Sequence, residues 1–253
     1  MTDFPEIAAR FARNTANQQM TVLHEDGLYR HLRFEGTADS PFSRYPFELI
    51  TWPYNLVVKA GWTFHFDIDA TEDMFNLFRK TAFTGEINPG YWSEKVRAGR
   101  DEIEGYDPEL LKGEVASTLA QWMRDDLADR VWQQAKKRGF NPEELDARPS
   151  LRMWLSRQIR PEWMTANREL REAVREHFFS DMAGYNIEFE SEAHQALADF
   201  SYRPEGYDGP YPYHFADWHE WRLKDYTPGF LHCCHAIRHG VDLWDAARKQ
   251  VAA

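Results

Sequence analysis

The stretch LHCCHAIRH, residues 231–239, places two adjacent cysteines inside a cluster of three histidines. Thiolates and imidazoles are common Zn²⁺ ligands, and paired cysteines are also found at redox sites. On a helix, which turns by about 100° per residue, the cysteines fall on the apolar side and the histidines on the opposite side. We therefore expect the cysteines to be buried as small apolar residues and the histidines to face solvent or a partner. The cysteines are Cys233 and Cys234, and the histidines are His232, His235 and His239.

The histidine spacing on this helix also raises the question of a zinc site. His235 and His239 are four residues apart, so both imidazoles could reach one ion from one helix face. The residues between them include Arg238 and no glutamate, so the catalytic H-E-x-x-H pattern is absent. A cationic arginine beside the ion would oppose metal binding. A solvated polar helix face is therefore the expected structure, with no metal.

A second set of chemically capable residues lies on one predicted strand. His65, Asp67 and Asp69 alternate along it and share a face, and Glu48 could approach them from a neighbouring strand. Such a cluster could bind a divalent metal and support a nuclease-like or nucleotide-directed reaction. No lysine in the chain has an acid two residues before it, so the usual nuclease lysine arm is missing. The cluster is kept as the weaker alternative.

Aromatic residues are interspersed with acids in the stretch GYDGPYPYHFADWHEW, which begins inside a long loop rich in proline, glycine and tyrosine, residues 202–213. Most of these aromatic side chains are expected to anchor the loop to a core. Tyrosine and tryptophan beside carboxylates also suit contact with a basic protein surface. The residues predicted to bind a partner are Tyr207, Asp208, Asp217, Trp218, Glu220 and Trp221.

Net charge limits the classes of partner. The chain has a formal net charge of −11, and residues 101–253 carry 19 basic and 28 acidic side chains. Such a chain is expected to be repelled by nucleic acid and by anionic membranes, and to be attracted to basic proteins. No phosphate-binding glycine motif and no G-x-S-x-G motif is present, so no cofactor is expected and binding is favoured over catalysis.

The hydrophobic pattern predicts an α+β fold, with an N-terminal antiparallel β-meander packed by helices and a mostly helical C-terminal part. Alternation around Asp26–Gly27 indicates a hairpin, and Pro53 and Gly61 separate three further strands. In the last strand, one face is expected to be buried, and a helix of about residues 72–80 should cover it. The residues of that face are Trp62, Phe64, Phe66 and Ile68.

The second part of the chain has clear helix-start signals. Asp107–Pro108, Asn141–Pro142 and Thr227–Pro228 each combine a capping side chain with proline at the first helical position. The predicted organisation is residues 1–100 as a sheet with helices and residues 101–253 as a helical region, packed together as one compact unit.

The segments MTVLHEDGLYRHLRF, FELITWPYNLVV and INPGYWSEK resemble a family of uncharacterised accessory proteins of phages, prophages and other mobile elements. The resemblance covers roughly residues 18–100 and, less clearly, the last helix with its cysteine pair, whereas residues of about 120–185 match nothing in it. It implies no catalytic residue. It implies a non-structural phage protein, because such genes often encode inhibitors of bacterial immunity or of host nucleic-acid enzymes.

Together these observations predict a non-enzymatic protein that inhibits a host nucleic-acid-handling or defence complex, for example CRISPR machinery, in the cytoplasm of a bacterial host. Its acidic surface would compete for a basic channel where nucleic acid sits. The alternatives are a metal-dependent enzyme that uses the His65, Asp67 and Asp69 cluster, and a phage assembly or regulatory protein. The expected partner is a protein, with no direct contact to nucleic acid or membrane.

Overall fold

The computed structural model describes residues 5–36, 45–79, 87–180, 183–204 and 212–251. It confirms the α+β class, with an N-terminal antiparallel sheet and a mostly helical remainder. Two compact units are present: residues 1–105 together with 225–253 form the first, and residues 106–224 form the second. The last helix thus belongs to the unit of the sheet, whereas the sequence pattern had grouped it with the helical region.

The first unit is built on a six-stranded antiparallel sheet in which each strand pairs with the next along the chain. This order is a meander, as the turn signals predicted. The strands are β1 (Gln18–Asp26), β2 (Tyr29–Gly36), β3 (Phe47–Trp52), β4 (Asn55–Ala60), β5 (Trp62–Asp67) and β6 (Val96–Ala98).

Short turns with left-handed backbone conformations connect the first strands. Asp26 pairs with Tyr29, so the turn consists of Gly27 and Leu28, and Gly27 adopts φ 60°. A glycine at the first central position matches the twist of a two-residue hairpin. Gly61, with φ 83°, makes the tight connection between β4 and β5. The predicted hairpin and strand breaks are confirmed.

The buried face of β5 was predicted correctly at its centre and incorrectly at its beginning. Phe64 and Phe66 are fully buried, but Trp62 is 44% exposed. Phe66 packs edge-on against Phe78, with ring centroids 5.3 Å apart, whereas Phe64 packs against Phe230 of the last helix. The core over the sheet is therefore shared between a local helix and the C-terminus of the chain.

The local helix is shorter than predicted. It is α2 (Phe75–Phe78), and it starts after Asp73, whose carboxylate accepts a hydrogen bond from the Phe75 amide at 3.1 Å. Asp69, which was predicted to share the strand face of His65 and Asp67, lies instead in the exposed turn after β5. A further short helix, α3 (Pro89–Ser93), precedes β6, and the N-terminal helix is α1 (Pro5–Thr15).

The long C-terminal helix, α8 (Pro228–Val251), covers the buried face of the sheet at close range. An ideal Cβ on Gly240 would lie 2.5 Å from Cδ1 of Leu49, and one on Gly229 would lie 2.6 Å from the Trp62 indole. Glycine at these positions lets the helix backbone approach the strands. The sequence predicted the cap of this helix correctly, since the Thr227 hydroxyl accepts a hydrogen bond from the Phe230 amide at 3.1 Å.

One buried ion pair joins the sheet to the local helix and to α8. The guanidinium of Arg30 on β2 donates to Asp73 at 2.8 Å, and the Arg30 side chain is only 8% exposed. Its charge also lies over the rings of Phe75 and Trp244, 4.9 and 5.2 Å from their centroids. Burial by itself would raise the pKa of Asp73, but the hydrogen bond and positive charge of Arg30 oppose this effect. The pKa of Asp73 therefore lies below its ordinary value. The paired charges are thus desolvated together, which fixes their geometry.

The second unit consists mainly of helices. They are α4 (Pro108–Lys137), α5 (Pro142–Asp146), α6 (Pro149–Phe179) and α7 (Glu190–Asp199). The short strands β7 (Glu104–Tyr106) and β8 (Lys224–Tyr226) carry the chain out of the first unit and back, and they pair with each other. The predicted starts at Asp107 and Asn141 are confirmed, the latter as a complete capping box with Glu144.

Two apolar clusters hold the second unit together. In one, the N-terminal end of α4 packs with the C-terminal end of α6, α7 and the segment around Phe215. In the other, the C-terminal end of α4 packs with α5 and the beginning of α6. The helices α4 and α6 are therefore antiparallel over their length. In the described ranges, no helix combines the length and the apolar character needed to cross a membrane.

A pair of glycine substitutions tests the close approach of α8. Replacing Gly240 by alanine forces a methyl group against Leu49 and Phe34, so we expect a loss of about 1–3 kcal/mol in the free energy of unfolding. Replacing Gly113 on α4, where no atom lies within 4 Å, should instead stabilise by about 0.5–1 kcal/mol. Urea titration of both variants measures the difference. Equal effects at the two positions would show that α8 is not tightly seated.

Candidate functional site

The two cysteines of the LHCCHAIRH stretch are structural. Cys233 and Cys234 are free and fully buried on the inner face of α8. Burial, with a smaller contribution from Glu102, raises the pKa of the Cys233 thiol to about 12. Burial also raises the pKa of Cys234 well above its ordinary value. Thiols that stay protonated at neutral pH are poor nucleophiles and poor metal ligands, so the predicted apolar role is confirmed.

The three histidines face away from the cysteines, as the helical wheel predicted, but they are not a solvated face. Helix α1 lies over them, and its Phe11 ring contacts all three. The centroid distances are 5.1 Å to His232, 5.6 Å to His235 and 5.8 Å to His239. The prediction of solvent exposure is wrong because the amphipathic helix α1, 220 residues earlier, supplies a cover that the local pattern does not reveal.

This cover affects the titration of two of the histidines. Burial, followed by the charges of Arg10 and His235, lowers the pKa of His232. Burial also lowers the pKa of His239, and nearby Asp242 partly opposes it. The Nε2 atom of His239 is buried without a hydrogen-bond partner among the described residues. Both side chains are therefore held as neutral rings.

The sheet-face cluster does not converge on a metal site. The His65 ring is 2.7 Å from the Asn55 amide oxygen and stacks on Trp52, while Asp67 pairs with Arg97 at 3.3 Å. Glu48 is 3.1 Å from His31 on the adjoining strand. Across the described ranges, no group of three or more histidine, cysteine, aspartate or glutamate side chains is placed to hold an ion. His65 and Asp67 thus make separate polar contacts, and Asp69 lies in the exposed turn, so the three side chains do not form one site.

The predicted partner-binding residues divide into anchors and exposed acids. Trp218 and Trp221 are half-buried against the first apolar cluster of the second unit. Trp221 meets Phe215 edge-on at 5.6 Å, and Trp218 lies 5.1 Å from the His194 ring of α7. Both tryptophans therefore act mainly as core anchors. Tyr207 and Asp208 lie outside the described residues.

The anchors position two carboxylates at the surface. Asp217 and Glu220 are exposed, at the ends of a single 3-10 turn that begins with Trp218. Asp217 adopts a left-handed conformation, with φ 55°, which turns the chain sharply before this helix. Because Trp218 packs on His194, the turn that carries both acids contacts α7. Glu190, at the start of α7, pairs with Lys224 at 3.0 Å.

An exposed aromatic residue that sequence reasoning missed lies at the start of α7. Phe189 is 58% exposed, the most exposed of the large apolar side chains in the described ranges, and it stands between Glu188 and Glu190. It occupies the N-cap position of α7, where no apolar neighbour is available to bury it. The sequence signal was the tripeptide Glu-Phe-Glu ahead of a helix. The acidic–aromatic surface is defined as Glu188, Phe189, Glu190, Asp217 and Glu220.

The electrostatic character of this surface is evident in a neighbouring phenol. Burial, followed by the negative charges of Glu188, Asp107 and Glu190, raises the pKa of Tyr106 to about 12. A cavity of about 690 Å³ adjoins Glu188, and Phe179, Tyr185 and Lys112 contribute to its lining. The surface thus combines negative potential, an apolar ring and a neighbouring concavity, which are features of protein-binding sites.

Comparison of this chain with protein-family models, with curated proteins and with solved structures finds no match.

The covered histidines predict how stability depends on pH. The folded-state pKa values of His232 and His239 lie below the ordinary value of 6.5. When the pH falls below 6.5, the unfolded chain therefore binds more protons than the folded chain does. Stability should be fully present above pH 6.5 and decrease below it, by at most about 1.4 kcal/mol per pH unit for each histidine. Urea titrations between about pH 7.5 and pH 5 measure this slope.

The double variant His232→Gln/His239→Gln should flatten the slope, whereas His219→Gln, at an exposed position of the second unit, should leave it unchanged. An unchanged slope in the double variant would show that α1 does not hold these rings neutral.

Proposed function

We propose that this protein acts by stoichiometric binding to a basic surface of a partner protein, through the acidic–aromatic surface. The observation that carries the proposal is the exposed Phe189 ring, which Glu188 and Glu190 flank in sequence at the start of α7. The turn that bears Asp217 and Glu220 packs on the same helix through Trp218 and His194. An exposed aromatic ring supplies the desolvated contact that dominates interface affinity, and the acids around it select a cationic partner.

The arrangement of the surface favours binding over catalysis. Asp217 and Glu220 are exposed, and neither forms an ion pair with a described residue. Glu190 pairs with Lys224 at 3.0 Å, and Glu188 lies 3.9 Å from Lys112. A basic partner can therefore meet the two turn acids without first breaking an internal ion pair. The tryptophans beneath them hold the 3-10 turn in place, so little conformational entropy is lost on association.

For the class of partner, the proposal follows the sequence resemblance to phage accessory proteins. Host nucleic-acid enzymes and defence complexes, CRISPR machinery among them, have basic channels that bind phosphate backbones. A protein that occupies such a channel excludes nucleic acid without any turnover. The proposed role is thus inhibition of a bacterial nucleic-acid-handling complex in the host cytoplasm. A structural role in phage assembly would use the same surface with a different partner.

Neutralising the two turn acids tests the electrostatic part of the proposal. The variant Asp217→Asn/Glu220→Gln keeps the left-handed turn accessible, because asparagine tolerates that conformation. With a partner captured from bacterial lysate and then purified, we expect the association rate to fall several-fold and its salt dependence to weaken. Surface plasmon resonance at several salt concentrations measures both quantities.

The matched control is Asp125→Asn/Asp129→Asn, which removes the same charge from exposed positions on α4. If both variants slow association equally, only net charge matters and the surface is not the binding site.

Truncating the exposed ring tests the apolar part. Phe189→Ala should raise the dissociation rate by about 30-fold or more, as expected for a hot-spot residue, with little change in the association rate. Tyr29→Ala removes an equally exposed ring from the first unit and should have no effect. Calorimetric titration should saturate at one protein per target. Inactivation of many targets by one molecule would contradict the proposal and favour the enzyme alternative.

A further inference from the structure

The outer side of α6 carries a row of arginines that the acidic–aromatic surface does not use. All are exposed, and at about 3.6 residues per turn they project on one side of the helix, together with two exposed methionines. We name this row the arginine face. Its residues are Met153, Arg157, Arg160, Met164, Arg168, Arg171 and Arg175.

The cations of the arginine face are not neutralised within the protein. None of the five arginines forms an ion pair with a described carboxylate. Glu172 lies one turn from Arg168 and borders the face without forming an ion pair, whereas Glu162, Glu169 and Glu176 lie further round the helix. The adjoining carboxylate of α4, Asp126, is already paired with Arg130 at 2.9 Å and accepts a hydrogen bond from Asn167 at 3.2 Å.

The length and shape of the arginine face select a long anion. From Arg157 to Arg175 the helix rises by about 27 Å, at about 1.5 Å per residue. The larger cavities of the described chain lie elsewhere, one at the C-terminal end of α6 beside Lys112 and one at α1. An open row without a pocket offers little to a small anion. It matches a polymer with charges at regular intervals, such as duplex nucleic acid with one charge per about 1.7 Å.

The chemistry of the side chains favours phosphate over protein carboxylates. Apart from His177 in its last turn, every basic residue of α6 is an arginine, and no lysine occurs between Arg138 and Leu223. The guanidinium group binds phosphate through two parallel hydrogen bonds. The face has no aromatic anchor of the kind that dominates protein interfaces, since the ring of Trp154 is engaged by Arg138 at 4.5 Å.

The spacing within the face further indicates how a duplex would lie. Arg160 and Arg168 are separated by about 12 Å along the helix, and Met164 lies midway between them. Two groups of cations on either side of an apolar residue can reach phosphates on both borders of a minor groove, with the methionine over the groove. We propose that the arginine face is a binding site for the phosphate backbone of a nucleic-acid duplex, with α6 lying across the minor groove.

This proposal is independent of the proposed function and differs from the expectation, based on the net charge of −11, that the chain makes no direct contact with nucleic acid. At physiological salt, charges are screened over about 8 Å, so a ligand at the arginine face responds mainly to the local cations.

The test is fluorescence anisotropy with the purified full-length protein and a labelled DNA duplex of about 20 base pairs and mixed sequence. We expect binding at about 50 mM salt, with an equilibrium constant that falls with salt at a log–log slope of about −4 to −5 for five phosphate contacts. Arg160→Gln/Arg168→Gln should weaken binding about 10- to 100-fold and make the slope shallower by about 2. Met164→Ala should weaken binding without changing the slope.

The control variant, Arg148→Gln/Arg152→Gln, removes the same charge from exposed positions outside the face and should bind as the parent does. Circular dichroism should confirm that all variants retain their helix content. Absence of binding at about 100 µM protein, or equal loss in both double variants, would overturn the proposal. If polyglutamate competes as effectively as unlabelled duplex DNA, the arginine face is a binding site for protein carboxylates instead. If single-stranded DNA binds with the same affinity as the duplex, α6 does not lie across a minor groove.

Discussion

The fold of the first unit depends on the close contact between α8 and the sheet. Small residues line the inner face of the helix, so its backbone lies near the strands and the large side chains of β2, β3 and β5 fill the space around it. Gly240 lies over Leu49 and Phe34, and Cys233 and Cys234 are fully buried between larger neighbours. A larger residue at any of these positions would lift the helix and open the core. The small cysteine side chains thus allow α8 to pack closely on the sheet.

The buried face of the sheet is therefore covered only when α8, at the C-terminal end of the chain, has packed on it. The entire second unit is inserted between β7 and β8, so the contacts of α8 with β4 and β5 span more than 160 residues. Contacts of such separation carry a large loop-closure entropy, which the many buried aromatic contacts must offset. The paired strands β7 and β8 reduce the effective separation, because they bring the two ends of the insertion together.

The second unit presents charge of two signs on separate surfaces. At the start of α7, Glu188 and Glu190 flank an exposed phenylalanine, and along α6 exposed arginines form a row without ion pairs to described carboxylates. An overall charge of −11 conceals this separation. Since screening limits each ligand to nearby charges, one unit can present a cation-selective and an anion-selective surface at once. A complex that contains both a basic protein and nucleic acid offers both kinds of ligand.

The sequence by itself determined the features that depend on neighbouring residues. Alternation in β5, glycine in the Gly27 and Gly61 turns, and capping by Asn141 and Thr227 are local interactions, and all were predictable. The opposed faces of α8 followed from helical periodicity alone. Only the tertiary structure decided what covers each face. Phe11 shields the three histidines, Trp62 stays half-exposed beside Gly229, and Phe189 remains outside any core. Such outcomes depend on which distant elements meet, and no local pattern encodes a contact between side chains that are far apart in the chain.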